Sequence, residues 1–201
     1  DNLVKFITWT LPTNFGEGLV ILAAILAGVT LPITPLQILW INMTTAVLLG
    51  LPLAFEPLEK GIMLRQPRVP GSPILDQALI LRIALVGILM LLGSFGLFQL
   101  ALNRGLSLEE ARTVAVNVFV MIEALYLFNC RSLTRSVRSV GYWTNPWVWA
   151  GVGVTALLQL AFTYLSPFQK LFGTAPIGLG AWVEILVVGL LAAIVVAVEK
   201  H

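Results

Sequence analysis

The stretch Thr13-Asn14-Phe15-Gly16-Glu17-Gly18 decides the reading of this chain, because it sets polar groups inside an apolar run from Leu3 to Val29. A carboxylate there has to be ionised against a low dielectric, protonated, or matched to a cation. Membrane insertion scales place a carboxylate at the centre of a helix about 2.5 to 3.5 kcal/mol uphill, so a functional role is the default for Glu17. The alternative is a buried Glu hydrogen-bonded to a neighbouring helix. Asn14 and Glu17 are three residues apart and share a helix face, while Gly16 and Gly18 would let another backbone come close.

Composition sets that run in context. Of 201 residues, 58% are hydrophobic and 11% charged, and the mean hydropathy is +0.94, which excludes an ordinary water-soluble domain. The chain reads as a polytopic membrane protein or a piece of one. A single cysteine, Cys130, excludes a disulfide framework, and His201 at the extreme end is the lone histidine, so no soft-metal cluster or histidine relay is available. A net charge of +2 with scattered basic residues does not suit nucleic acid. No methionine precedes Asp1 and the apolar pattern begins almost at once, which leads us to expect a fragment.

Six apolar segments are visible, roughly 3–28, 36–55, 74–102, 108–130, 146–165 and 181–198. Each is close to the ~20 residues a helix needs to cross the bilayer core. Backbone polar groups in lipid must be satisfied within the segment, so the expected fold class is all-α: a membrane bundle of six transmembrane helices forming one transport domain. Lys5, Lys60, Arg65, Arg68, Arg82, Arg131, Arg135, Arg138 and Lys200 fall on one side of these spans, against Arg104, Arg112 and Lys170 on the other. That bias assigns both termini to the cytoplasm. Trp143, Trp147, Trp149 and Trp182, at the starts of the last two spans, suit interfacial anchoring.

Within the spans, Pro12 is expected to loosen or kink the first helix two residues before Asn14. The second span is the least regular, with Gln37, Asn42, Thr44 and Thr45 followed by Gly50 and Pro52. Such an interruption at membrane depth requires protein or a wet cavity beside it. Asn42 and Thr45 share a face if that turn is helical, and Thr44 is expected to bond back to its own helix. The loop through Asp76, with Pro57, Pro67, Pro70 and Pro73, reads as a docking surface or stiff connector. Gly87, Gly93 and Gly96 offer close packing in the third span, where Gln99 suggests a packing hydrogen bond. The fourth opens at a Ser107 N-cap with Glu109 and Glu110 in its first turn and later carries Glu123, a second membrane carboxylate with Tyr126 on its face. Glu184 lies near the outer headgroups and reads as structural, while Glu56 and Glu59, at the cytoplasmic boundary, need no special explanation, although either could help attract cations to an entrance.

The run Asn14-Phe-Gly-Glu17, the segment Leu39-Trp-Ile-Asn42-Met-Thr-Thr45, Phe55-Glu-Pro57, and Gly61-Ile-Met-Leu-Arg65-Gln-Pro-Arg68 resemble, in order and spacing, the C-terminal membrane half of P-type cation pumps of the calcium-pump-like class, its bacterial members above all. Phe119-Val-Met-Ile-Glu123 and Phe128-Asn-Cys-Arg-Ser-Leu133 resemble the eighth membrane helix of that class. The resemblance implies that the six spans are helices five to ten of a ten-helix pump. It makes Asn14 and Glu17 ion ligands on the fifth helix, Asn42 and Thr45 on the sixth, and Glu123 on the eighth. Hard oxygen donors suit Ca²⁺ first, or Na⁺ and similar cations. Animal calcium pumps carry an Asp directly after the sixth-helix Thr, where this chain has Ala46. That departure removes a bridging anion and favours one divalent ion, a monovalent ion, or an ion balanced by a retained proton.

The family's Asp-Lys-Thr-Gly-Thr and Thr-Gly-Glu motifs do not occur, so this chain is not catalytic alone, and ATP and Mg²⁺ would act only through other domains of the pump. The partners implied are the lipid bilayer of a cell membrane, those cytoplasmic domains and helices one to four. The competing reading is a subunit of an ion-coupled secondary transporter or channel. Against it, the two halves of the chain show no internal repeat.

Overall fold

The computed structural model describes residues 2–58, 75–132 and 140–199. Most of the loop expected as a docking surface or connector, with Glu59, Lys60, Arg65 and Arg68, therefore lies outside the described residues, as do Arg135, Arg138 and the extreme termini.

Six helices are long and apolar enough to cross a membrane: Asn2–Ala27, Pro35–Phe55, Gln77–Asn103, Leu108–Cys130, Pro146–Tyr164 and Leu179–Glu199. Their starts follow local chemistry. Thr34 caps the second span in a reciprocal box with Gln37, with Pro35 at the position where a missing N–H costs nothing. Ser107 caps the fourth span as expected, and Glu110 closes the same reciprocal box with it. Asp76 accepts from the Leu79 amide and starts the third span at Gln77, a few residues inside the expected boundary. The described residues are helical with no strand, and the outer faces are apolar. On the sixth span Leu186, Leu190, Leu191, Ile194 and Val198 all point outward, a surface suited to lipid in a multi-pass membrane protein.

The fourth span is the axis of the bundle. Of its most apolar stretch 78% is buried, against 33% or less in each of the other five. The third and sixth spans are strapped together at both ends, by Arg82 to Glu199 at 2.8 Å and Arg104 to Glu184 at 2.6 Å. Glu184 thus reaches an arginine and has the structural role expected of it.

Two spans depart from regular α-helix. The second runs as α-helix over Pro35–Thr45, widens into a π-helical turn at Ala46–Gly50, and tightens into a 3₁₀ turn at Leu51–Phe55. Pro52 is one cause, since it has no N–H to offer the Leu48 carbonyl one α-turn earlier. Gly151 of the fifth span lies against that carbonyl so closely that a Cβ would sit 1.8 Å from its oxygen. The third span carries a second π-helical turn at Leu91–Phe95 that its sequence did not announce.

The first span stays helical through Pro12, which loosens it at the Thr8 carbonyl: that oxygen loses its α-helical donor, and the Tyr126 hydroxyl donates to it at 2.7 Å. Other packing expectations need correction. Gly16 and Gly87 do sit at a tight contact between the first and third spans, against Met90 and Phe15 respectively, and Gly93 packs on Val188. These neighbours are side chains, however, and Gly18 and Gly96 face open space. Gln99 is exposed and donates to Asn103 of its own helix, so it joins no neighbour.

Candidate cation-binding site

The polar residues of the first, second and fourth spans converge. Glu17 and Glu123 are both buried, 3% and 1% exposed, and their carboxyl groups lie close enough to interact. Asn42 donates through Nδ2 to Glu17 Oε2 at 2.6 Å. The Thr45 hydroxyl, buried at 3% exposure, approaches the Glu123 carboxyl group and also donates to its own helix at Ile41. Asn42 and Thr45 share a face because the turn that carries them is α-helical and ends at Thr45, directly before the π turn. Thr44, one position round, bonds only to Trp40 and Ile41 of its own helix, as anticipated.

Two carboxylate oxygens in this cluster, Glu17 Oε1 and Glu123 Oε2, are buried with no hydrogen-bond partner. Native interiors seldom leave such acceptors unsatisfied, and an anion makes the cost steeper. Among the described residues no third His, Cys, Asp or Glu joins them, so the donor set is two carboxylates, an amide and a hydroxyl. That all-oxygen set fits a hard cation and not a soft one.

Asn14 behaves differently from the other four site residues. It is exposed, while Glu17 one turn on is buried, so among the described residues it stands at the edge of the site and does not close it. Trp9 is a participant that sequence alone did not single out. Its Nε1 donates to the Glu123 backbone carbonyl at 3.1 Å, next to the bond from Tyr126 to Thr8. Those two bonds fix the first span, more than two turns before Glu17, against the fourth span at Glu123 and about one turn beyond it. A proline-freed carbonyl and an aromatic donor more than a hundred residues apart leave no local pattern to read.

The largest surprise is Glu56. It is buried, and its carboxylate accepts from Arg131 Nε at 2.7 Å and Asn145 Nδ2 at 2.9 Å. Glu56 therefore does call for an explanation, contrary to expectation. Arg131, counted above as a loop cation, is fully buried as its partner.

Comparison with known proteins bears on this arrangement. Residues 30–201 match the family model described as cation transporting ATPase, C-terminus. The chain belongs to that family. As a cation-ATPase C-terminal region it is 56% identical over 199 residues, 99% of its length, to the probable cation-transporting ATPase F of Mycobacterium tuberculosis, of which it covers 22%. It is 35% identical over 190 residues, 90% of its length, to the cation-transporting ATPase pma1 of Synechocystis, covering 21% of that protein. With the calcium-transporting ATPase of Bacillus subtilis the figures are 34% over 193 residues, 96% of this chain and 21% of the relative. The chain thus spans about a fifth of the length of these relatives.

Proposed function

We propose that this chain is the cation-binding and translocating membrane part of an ATP-driven P-type pump, with one hard cation held between the first, second and fourth spans. The observation that carries the reading is the pair of facing, buried carboxylates whose Glu17 Oε1 and Glu123 Oε2 atoms have no protein donor. A cation there would take both oxygens, the Asn42 side-chain oxygen after its amide turns, and the Thr45 hydroxyl oxygen. Asn14 would complete the shell from the exposed edge, together with whatever helix of the intact pump covers it.

Ca²⁺ is the favoured cargo on donor hardness and on the names of relatives such as the Bacillus subtilis calcium-transporting ATPase. Ala46, following Thr45, leaves two carboxylates at the site, enough charge for one divalent ion. Both termini lie on the cytoplasmic side in this reading. Phosphorylation of a cytoplasmic domain elsewhere in the pump would shift the first span, part the ligands and open the site outward, protons taking the cation's place.

The test is cation-stimulated phosphorylation of the full-length pump against a panel of ions, with Glu17→Gln and Glu123→Gln beside the native protein. Each substitution removes one charge and should weaken apparent affinity at least about tenfold, the loss of roughly one charged interaction. Native affinity in both variants would mean that the cation binds elsewhere.

A further inference from the structure

The Glu56 cluster lies outside the cation site, and its polar groups are extensively bonded. Arg131 Nε and Nη2 donate to the two Glu56 oxygens at 2.7 and 3.4 Å. Its Nη1 donates to the carbonyls of Gly141 and Tyr142, at 3.1 and 3.0 Å, and Nη2 to the Thr144 hydroxyl at 2.7 Å. A guanidinium has five N–H donors, and these five bonds use the whole fork. Asn145 Nδ2 donates to both Glu56 Oε1 and the Pro52 carbonyl at 2.9 Å. Asn2, at the foot of the first span, donates to the Ala54 and Glu56 carbonyls at 3.0 and 2.9 Å.

Every second-span residue gripped in this way falls between Pro52 and Glu56, beyond the π turn. The ligand-bearing half, Pro35–Thr45, is held at its far end instead, where Gln37 Nε2 donates to the Phe172 carbonyl at 2.9 Å. Ala46–Gly50 therefore separates two segments whose polar attachments differ, although both also pack on the fifth span, Trp40 against Phe162 and Pro52 against Asn145. A π turn inside a helix is frequent at functional sites. A buried ion pair is weak evidence for stability as such, since an apolar pair of similar volume often does as well. Its geometry here points to position.

We infer that Glu56, Arg131 and Asn145 are positioning residues that fix the terminal half of the second span to the fourth and fifth spans, so that movement of Asn42 and Thr45 is confined to the joint at Ala46–Gly50. The inference rests on the proposed pump function. It assigns Glu56 no contact with the cation. Losing the anchor should leave the assembled site intact but let the lower segment yield when the first span moves, so that displacement no longer reaches the ligands.

The experiment is the double variant Glu56→Met/Arg131→Met in the full-length pump in membrane vesicles, with Ca²⁺ as the probe, or Na⁺ if Ca²⁺ does not stimulate phosphorylation. The half-saturating concentration for phosphorylation should stay within about twofold of native while the maximal transport rate falls about tenfold, the signature of a lost conformational step. A native transport rate overturns the inference, and so does affinity falling in step with rate. Should the double variant fail to assemble, Arg131→Lys, which keeps the charge and loses the fork, should give the same split in smaller measure, and its absence counts equally against the anchor. Glu17→Gln and Glu123→Gln are run in parallel. If both keep native affinity, the assigned cation site fails. If either loses affinity while the double variant transports normally, the anchor alone is refuted.

Discussion

Two buried glutamates of this chain, Glu56 and Glu17, have opposite surroundings. Glu56 sits at the end of a span with an arginine fork and an asparagine amide on its carboxylate. Glu17 sits mid-span with one amide on Oε2, a second carboxylate facing it, and Oε1 without a partner. Burial alone therefore says little about a carboxylate's task. What separates the two is whether the fold supplies the positive charge. Where it does, the carboxylate holds helices together, and where it does not, the carboxylate is left open to a proton or a cation.

The comparison can be inverted most forcefully at the mid-span site. Asn42→Lys would place an ammonium beside the Glu17 carboxylate and convert it to the Glu56 type. In the full-length pump cation-stimulated phosphorylation should disappear, while thermal stability measured without added cation should rise. Retained cation response with a lysine there would refute the view that missing protein charge defines the site.

The reverse operation strips Glu56 of its cation. Arg131→Met alone should destabilise the folded membrane region by about 3 to 5 kcal/mol, because a buried carboxylate is left unpaired. Adding Glu56→Met should recover most of that loss, read as the thermal midpoint of the purified protein. Equal stability of the single and double variants would mean that the pair is not coupled.

The joint between the two regions is open to a smaller perturbation. Gly151→Ala pushes a methyl into the Leu48 carbonyl, and overpacking of this kind costs about 1 to 3 kcal/mol. Gly153→Ala, two residues on, faces open space and should be neutral in the same melting assay. Next in size is Tyr126→Phe, which leaves the Thr8 carbonyl without the donor that replaced Pro12 and should cost about 1 kcal/mol. In a Pro12→Ala background that cost should shrink, because the helix then supplies its own N–H, and a double-mutant cycle measures the difference. Last comes Arg104→Gln, which breaks a half-exposed strap to Glu184 and should change stability by no more than about 1 kcal/mol.

The two glutamates also mark how far the chain could be read in advance. Six spans follow from apolar length alone, and Glu17 and Glu123 stand out because lipid tolerates few charges. Their convergence with Asn42 and Thr45 was legible from three-residue spacing and from the likeness to cation pumps. Asn14 was picked by the same spacing, yet one turn of helix carries it to the bundle's edge. Glu56 was passed over because, in sequence, a charge at the end of a span looks solvated. Its partners Arg131 and Asn145 are 75 and 89 residues away, and neither periodicity nor local composition reports such a pairing. The π turn in the second span was foreshadowed by Gly50 and Pro52, whereas no proline marks the one at Leu91–Phe95.

The π turn at Ala46–Gly50 takes up one residue more than an α turn would, with little added rotation or advance along the axis. Removing a single residue from Ala46–Gly50 would therefore return the turn to ordinary winding while Asn42 and Thr45 on one side and Glu56 on the other kept their facing. The spare residue is slack stored in the turn between ligand and anchor, and it leaves the phase of both unchanged.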